Sequence, residues 1–146
     1  SDRRQIMSRL GRRLAFDYGD VRIGVAVCDP DGILATPLEY LSTKDPGVKA
    51  SIQALCSEYE PTKIYVGLPL NLSGEHSEST AKALAFSELL TQLVSCPVEL
   101  IDERLTTSSA SASLSQSGVN VKDQRRKIDS QSAVIILESG LAKDRE

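Results

Sequence analysis

The amino-acid sequence predicts an α/β protein built on a five-stranded mixed sheet with helices on both faces. Three features support this fold class. Strand-like and helix-like segments follow one another in the order β-β-β-α-β-α-β-α. The first three strand-like segments are joined by short turns, which is typical of an antiparallel meander. The later strands alternate with helices, which is typical of a mixed sheet that helices cover.

The meander lies in the N-terminal third of the chain. Its strands are short apolar, β-branched runs bounded by turn residues, and they are predicted at Leu14–Asp17, Arg22–Cys28 and Ile33–Leu41. Between the second and third strands, Asp29–Gly32 predicts a tight turn, because Pro30 presets φ and Gly32 accepts a positive φ. Pro37 places the third strand at a sheet edge or a bulge, since proline cannot donate a hydrogen bond to the ladder.

The rest of the chain alternates helices with buried strands. In Val48–Tyr59 apolar residues recur at helical spacing, and Pro61 ends the helix. The further predicted helices are Ser79–Val94, Thr107–Ser117 and Asp129–Leu141, and the further predicted strands are Lys63–Pro69 and Val98–Glu103. Residues 71–79 and 119–127 are predicted to be polar loops.

Length and composition bound the function. The chain has 146 residues, which corresponds to one domain at roughly 150 residues per domain. We predict a single domain over residues 14–141, preceded by a basic, flexible tail over residues 1–13. The net charge of −3 excludes a uniformly basic nucleic-acid clamp but not a local basic patch. With no Trp and 4% aromatic residues, a platform for base stacking is not expected.

Further classes of protein are excluded by features that the sequence lacks. No apolar run reaches the ~18 residues of a membrane span, and residues 1–13 lack the apolar stretch of a signal peptide, so we expect a soluble cytoplasmic protein with no membrane partner. Cys28, Cys56 and Cys96 match no zinc spacing and are expected to pack as small apolar side chains. His76 is the only histidine, which excludes a metal site with two histidines.

Acidic residues stand at positions where α/β folds place ligands. Asp17 ends the first strand, and Asp129 begins the last helix. Asp102 and Glu103 end the fifth strand, and only one of these two can face a common site, because successive strand residues point to opposite sides. Carboxylates that converged there would repel one another unless a divalent cation neutralised them. Taken singly, each also fits an ordinary surface or turn carboxylate.

Four motifs follow one another over nearly all of residues 14–141. They are Asp17-Tyr18-Gly19 with Arg22–Ala26, then Val66–Asn71, then Asp102–Thr107, and finally Lys127-Ile128-Asp129 with Ala133. In kind and order they resemble the motifs of the YqgF family, the RuvX-type Holliday junction resolvases. The resemblance implies an RNase H-like fold, which agrees with the element order. It also implies a bacterial nuclease that matures the 5′ end of the 16S ribosomal RNA precursor or, in an older proposal, cleaves Holliday junctions.

The resemblance also implies an active site. The acidic residues of the family correspond to Asp17, Glu103 and Asp129, which are expected to be catalytic and to hold Mg²⁺ or Mn²⁺, as two ions. Two such ions about 4 Å apart stabilise the attacking and leaving oxygens of phosphodiester cleavage. Of the neighbouring pair, we expect Glu103 to point toward the site and Asp102 to be structural.

Basic residues near these carboxylates are candidates for nucleic-acid contact. They are Arg22, Arg104, Lys122, Arg125, Arg126 and Lys127. An arginine fork suits bidentate contact with phosphate, and the basic run before Asp129 would lead a backbone toward the metal ions. A solvated surface or a structural salt bridge is the alternative for each of them. Gly67-Leu68-Pro69 fits either a strand-ending turn or a close approach of backbone to a phosphate.

The residues leave three functions open. The expected one is a metal-dependent nuclease acting on structured RNA, namely the 16S precursor, in contact with the pre-ribosome. A resolvase acting on branched DNA fits the same residues and would require a homodimer for symmetric cleavage, so both monomer and homodimer stay open. A non-catalytic nucleic-acid-binding factor for ribosome assembly is the third, although the presence of all three carboxylates favours an enzyme.

Two residues depart from the pattern of the family. Ser132 stands where the family usually has Ala, and Gly140 stands where an aromatic residue is common. Both lie in the predicted last helix, so the packing of that helix is in question more than the chemistry.

Overall fold

The computed structural model describes residues 11–70, 77–103 and 130–145. In these ranges the strands are β1 (Arg13–Tyr18), β2 (Arg22–Cys28), β3 (Ala35–Ser42), β4 (Lys63–Leu68) and β5 (Val98–Asp102). The helices are α1 (Val48–Tyr59), α2 (Glu78–Leu93) and α3 (Gln131–Asp144). The predicted helix Thr107–Ser117 and the predicted loop 119–127 lie outside the described residues.

The five strands form one mixed sheet in the order β3-β2-β1-β4-β5. β1, β2 and β3 pair antiparallel, which confirms the predicted meander, and β3 is the edge strand that Pro37 indicated. β4 pairs parallel with β1, and β5 pairs parallel with β4. The carboxyl ends of β1, β4 and β5 therefore meet at one edge of the sheet, which we call the C-terminal edge.

Helices cover both faces of the sheet, as predicted. On one face Phe16 of β1 packs in a core with residues of α1 and α2. On the other face Ala15 of β1 and Ile101 of β5 pack against α3. This alternation assigns a face to each later strand residue, so side chains two positions after Ala15 and Ile101 also point to the α3 face. None of the helices in the described ranges is long and apolar enough to cross a membrane.

β3 begins at Ala35, two residues later than predicted. The Asp29 carboxylate accepts hydrogen bonds from the backbone N–H groups of Ile33 (2.6 Å) and Leu34 (3.1 Å). These two N–H groups therefore form hydrogen bonds within the turn and not in the sheet. The side chains of Ile33 and Leu34 are 77% and 65% exposed. A turn closed by an aspartate side chain therefore extends the connection beyond Gly32.

The ordered fold extends further than predicted at the N-terminal end of β1 and the C-terminal end of α3. Arg13, which was assigned to the tail, is the first residue of β1, and α3 ends at Asp144 and not at Leu141. Asp144 Oδ2 accepts hydrogen bonds from Arg13 (2.6 Å), Lys63 (2.8 Å) and the Tyr65 hydroxyl (2.6 Å). These contacts hold the end of α3 on the amino ends of β1 and β4, which explains the longer helix.

Gly140 is buried against an aromatic ring that comes from the sheet. A Cβ built on Gly140 would lie 2.6 Å from ring atoms of Tyr65, so the absence of a side chain lets the ring lie against the helix backbone. Tyr65 of β4 is fully buried there. The glycine at this position therefore leaves α3 packed directly against the sheet.

The three cysteines are free. Cys28 is buried in the sheet, and Cys56 and Cys96 are half-buried beside α1 and α2.

Candidate active site

Asp17 lies near the C-terminal edge, on the face that α3 covers. It is the fifth residue of β1 and follows Ala15 by two positions. Its partner in β2 is Gly24, which places no side chain directly opposite Asp17. The side chain of Ser132, in the first turn of α3, lies near this carboxylate. Burial raises the pKa of Asp17, and the nearby Ser132 side chain opposes that rise.

Glu103 follows the last residue of β5 and shares the face of Asp17. It comes two positions after Ile101, whose partner in β4 is Gly67. A Cβ built on Gly67 would lie 3.1 Å from both Cδ and Oε2 of Glu103, so the carboxyl group rests directly on the backbone of β4. The pKa of Glu103 rises to about 7, chiefly through burial and further through the charges of Asp17 and Asp102.

The two carboxylates approach each other across one strand. Phe16 of β1 pairs with Val66 of β4, so Asp17 lies level with Gly67. Glu103 reaches over that glycine from β5, and the charge of Asp17 contributes to its raised pKa. Asp102 precedes Glu103 by one residue, and strand alternation directs it toward the face of α1 and α2. The structure thus places Asp17 and Glu103 together on the α3 face.

The third expected carboxylate, Asp129, lies outside the described residues. The next residue, Ser130, is described and is fully buried. Its Oγ accepts a hydrogen bond from the backbone N–H of Val25 at 3.1 Å. Val25 follows Gly24, the strand partner of Asp17. The chain is therefore anchored to the sheet beside Asp17 one residue after Asp129.

Arg22 is the one expected nucleic-acid contact that lies in the described ranges; Arg104, Lys122, Arg125, Arg126 and Lys127 lie outside them. It is exposed at the start of β2, two positions before Gly24, which places it on the face of Asp17. Its guanidinium lies 5.2 Å from the centroid of the Tyr40 ring. The pairing of β2 with β3 is irregular between Ile23 and Val25, next to this contact. Arg22 thus lies about 7 Å along β2 from Gly24, the strand partner of Asp17.

The sequence missed three residues that shape this site. Gly67 lies near the end of β4, as the predicted strand Lys63–Pro69 places it, and it makes room for Glu103, which the sequence did not indicate. Its signal was a glycine inside a β-branched strand, which often marks a close approach. Ser130 and Ser132 carry no such signal, because their partners in β2 and β1 are more than a hundred residues away in sequence.

The pair of carboxylates suits a divalent cation. Among residues 11–70, 77–103 and 130–145, no group of three or more His, Cys, Asp or Glu side chains forms a metal site. Asp17 and Glu103 nevertheless supply two oxygen-donor groups close together, and Mg²⁺ is held in proteins by one or two carboxylates together with water and substrate phosphate. The donor chemistry therefore fits Mg²⁺ or Mn²⁺ at this position.

Solved structures of RuvC from Thermus thermophilus share this fold. RuvC in complex with a Holliday junction substrate matches with a TM-score of 0.62 at 15% sequence identity, over 92% of this chain and 96% of that chain. A second T. thermophilus RuvC structure matches with a TM-score of 0.55, at the same identity and coverage. The fold of this chain is therefore RNase H-like, as the sequence predicted.

Relatives found by sequence similarity carry names that state an activity. A protein from Streptomyces coelicolor is 49% identical over 139 residues, covering 94% of this chain and 83% of the relative. A protein from Streptomyces avermitilis is 48% identical, and the match covers 94% of this chain and 89% of the relative. Both carry the name "Putative pre-16S rRNA nuclease". Fold and relatives together define a nuclease, a hydrolase of phosphodiester bonds. The RuvX Holliday junction resolvase family matches residues 11–143, and the chain belongs to this family.

Proposed function

We propose that this chain is a divalent-metal-dependent nuclease that matures the 5′ end of the 16S ribosomal RNA precursor in the cytoplasm. The observation that carries the proposal is the half-buried pair of Asp17 and Glu103, in which the charge of Asp17 helps to raise the pKa of Glu103 to about 7. The name of the S. coelicolor and S. avermitilis relatives supports the RNA substrate. The pre-ribosome is the setting in which such a substrate occurs.

Asp17, Glu103 and Asp129 are the proposed catalytic and metal-binding residues. Two carboxylates brought together in a half-buried place repel each other, and a divalent cation between them removes that repulsion. Asp129 is the proposed third ligand, because the residue after it is held on the sheet beside Asp17 by the bond from Val25 to Ser130.

The residues of the chain position the reacting groups. Bound Mg²⁺ or Mn²⁺ would activate water and neutralise the charge on the leaving oxygen. Asp17 and Glu103 hold the cations from neighbouring positions on one face of the sheet. Arg22, on the same face, pairs with a phosphate of the substrate strand. In the proposed reaction water attacks the phosphorus and the P–O3′ bond breaks, so the products carry a 5′-phosphate and a 3′-hydroxyl.

The basic residues outside the described ranges complete the proposed substrate contact. Arg104 follows Glu103 directly, and Lys122, Arg125, Arg126 and Lys127 lead along the chain to Asp129. Contacts of this kind with the phosphate backbone position a strand without reading its sequence.

The purified protein, incubated with a 16S rRNA precursor and with a matched four-way DNA junction, with and without Mn²⁺, tests the proposal. We expect cleavage of the RNA only with Mn²⁺, leaving 5′-phosphate ends. Asp17→Asn and Glu103→Gln should each remove cleavage. Asp102→Asn is the matched control, because it removes the same charge one residue away on the other face and should retain cleavage. Cleavage without a divalent cation, or cleavage that survives Asp17→Asn, would contradict the proposed site.

Cleavage of Holliday junctions is the second candidate, because the matching family is described as a Holliday junction resolvase. Preferential cutting of the four-way junction in the same experiment would favour it. Symmetric cutting of two strands requires two copies of the site, so a homodimer would then be expected in solution. Metal-independent binding of RNA without any cleavage would instead favour the non-catalytic assembly factor.

A further inference from the structure

β3 carries an extra residue opposite β2, near its end at the C-terminal edge. The β3 partners of Ile23 and Val25 are three positions apart, where a regular ladder would place them two apart. Gly24 therefore lies opposite two residues of β3, Glu39 and Tyr40. An extra residue of this kind is a β-bulge, and bulges change the direction in which a side chain points.

The bulge turns the side chain of Tyr40 toward the α3 face. Leu38 and Leu41 both pack in the core on the face of α1 and α2. Because side chains alternate along a strand, Tyr40 would share the face of Leu38 if β3 were regular. The extra residue instead places Tyr40 on the face of Asp17.

Arg22 lies over the ring of Tyr40 on that face. The guanidinium carbon is 5.2 Å from the centroid of the ring, within the ~6 Å over which a cation and an aromatic ring attract each other. Arg22 begins β2 and Tyr40 is close to the end of β3, so the contact lies at the C-terminal edge. Tyr40 and Asp17 flank Gly24 from the two neighbouring strands, which places their backbones roughly 10 Å apart.

The ring prepares the arginine for a phosphate. Arg22 is exposed, and a long exposed side chain loses rotamer freedom when it binds a ligand. A ring that already holds the guanidinium reduces the freedom that is lost on binding. The guanidinium is planar, so it can stack on a ring and still present N–H donors at its edge to a phosphate.

We propose that Tyr40 is a positioning residue for substrate binding: its ring holds the Arg22 guanidinium at the C-terminal edge, where it contacts a phosphate of the RNA strand. The inference rests on the proposed function, because that function assigns Arg22 to a phosphate. It adds an aromatic residue of the edge strand β3 to a site whose proposed metal ligands come from β1, the end of β5 and the start of α3.

Binding of the full chain to a labelled 16S rRNA precursor in EDTA tests this proposal without cleavage. We expect Arg22→Ala to weaken binding by about tenfold and to make the plot of log affinity against log salt shallower by roughly 0.7–0.9. Tyr40→Leu should weaken binding by about two- to fivefold, which is the range for an exposed contact between a cation and a ring. Tyr40→Phe keeps the ring and should bind as tightly as the unchanged protein. In the Arg22→Ala background, Tyr40→Leu should have no further effect, because Tyr40 acts through Arg22.

Two further variants control for the fold. Tyr59→Leu makes the same chemical change at a half-buried tyrosine on the other face of the sheet and should leave the affinity for RNA unchanged. Tyr40→Thr removes the ring but keeps a residue that favours strands, so it replaces Tyr40→Leu in the comparison if thermal unfolding shows that Tyr40→Leu has lost the fold.

The double variant separates the positioning role from a direct contact of Tyr40 with RNA. If Tyr40→Leu weakens binding equally with and without Arg22, the ring contacts the substrate itself, for instance by stacking on a base, and the positioning role is wrong. If Arg22→Ala weakens binding and Tyr40→Leu does not, the positioning role is also wrong, but the phosphate contact of the proposed function stands. If Arg22→Ala changes neither the affinity nor the salt slope, the proposed phosphate contact itself is wrong.

Discussion

The carboxyl group of Glu103 rests on the backbone of Gly67, and a methyl group at Gly67 would lie 3.1 Å from its Cδ and Oε2. The same methyl group would meet Cδ1 of Ile136 from α3. A single glycine in β4 thus provides space both for a proposed metal ligand and for the packing of the last helix. Substitutions at this point therefore test packing and chemistry together.

Gly67→Ala should displace Glu103 and weaken both Mn²⁺ binding and cleavage by at least tenfold. It should also lower the free energy of unfolding by about 1–3 kcal/mol, since an added methyl group overpacks a filled space. Urea unfolding and Mn²⁺ titration measure the two effects. The double variant with Ile136→Val removes the nearest clashing atom, so stability should partly recover while Mn²⁺ binding stays weak. Recovery of both together would mean that Glu103 is not displaced.

Without divalent cations, the stability of the protein should fall as the pH rises from about 5 to 8. The folded-state pKa of Glu103 is raised from 4.5 to about 7, so the folded protein binds this proton more tightly than the unfolded chain. The contribution of protonated Glu103 to the free energy of unfolding is fully present below pH 4.5 and is lost as the pH rises through about 7. Glu103→Gln should therefore be more stable than the unchanged protein at pH 8 and equally stable at pH 4. Urea unfolding in EDTA measures the difference in stability between Glu103→Gln and the unchanged protein. An equal difference at pH 4 and pH 8 would contradict the raised pKa of Glu103.

Mn²⁺ should stabilise the folded protein through Asp17. A cation at a hundred times its dissociation constant adds about 2.7 kcal/mol to the free energy of unfolding if it binds only the folded state. Asp17→Asn removes one of the repelling charges, so it should raise the melting temperature of the metal-free protein by about 2–4 °C and remove the response to Mn²⁺. A large loss of stability in Asp17→Asn would instead identify Asp17 as a structural residue.

Ser130→Ala should destabilise the protein by about 1–3 kcal/mol, because it leaves the buried N–H of Val25 without its acceptor. Equilibrium unfolding in urea measures this change. Ser139→Ala, on the same helix but half-buried, is the control and should change stability by less than about 0.5 kcal/mol. A small effect of Ser130→Ala would show that the start of α3 is not held by this bond.

Replacing Arg125 and Arg126 with Ala should weaken binding to all nucleic-acid sequences alike. Each lost phosphate contact makes the plot of log affinity against log salt shallower by roughly 0.7–0.9, so the slope should decrease by about one to two units. Binding measured at several salt concentrations gives this slope. Deletion of residues 1–11 is the matched control, since that segment is the other concentration of arginines. If the deletion removes binding and the double variant does not, the substrate follows the N-terminal segment.

Local patterns in the sequence determined most of the elements. Arg22–Cys28 and Val48–Tyr59 form a strand and a helix with the predicted bounds, because β-branched runs and helical periodicity are local signals. The predicted start of β3 was wrong because the Asp29 side chain accepts hydrogen bonds from two N–H groups that the pattern assigned to the sheet. The predicted end of α3 was wrong because hydrogen bonds from residues of β1 and β4 hold Asp144 in the helix.

By itself, the sequence determined the fold class, the family and the identity of the candidate carboxylates, since these follow from the order of elements and from motifs within short stretches. Only the tertiary structure decided how the candidate site is built. The Glu103 carboxyl rests on Gly67, and the Ser130 hydroxyl accepts the backbone N–H of Val25, across separations of 36 and 105 positions. Contacts at such distances depend on strand register and on where a helix packs, and no local pattern of residues encodes those directly.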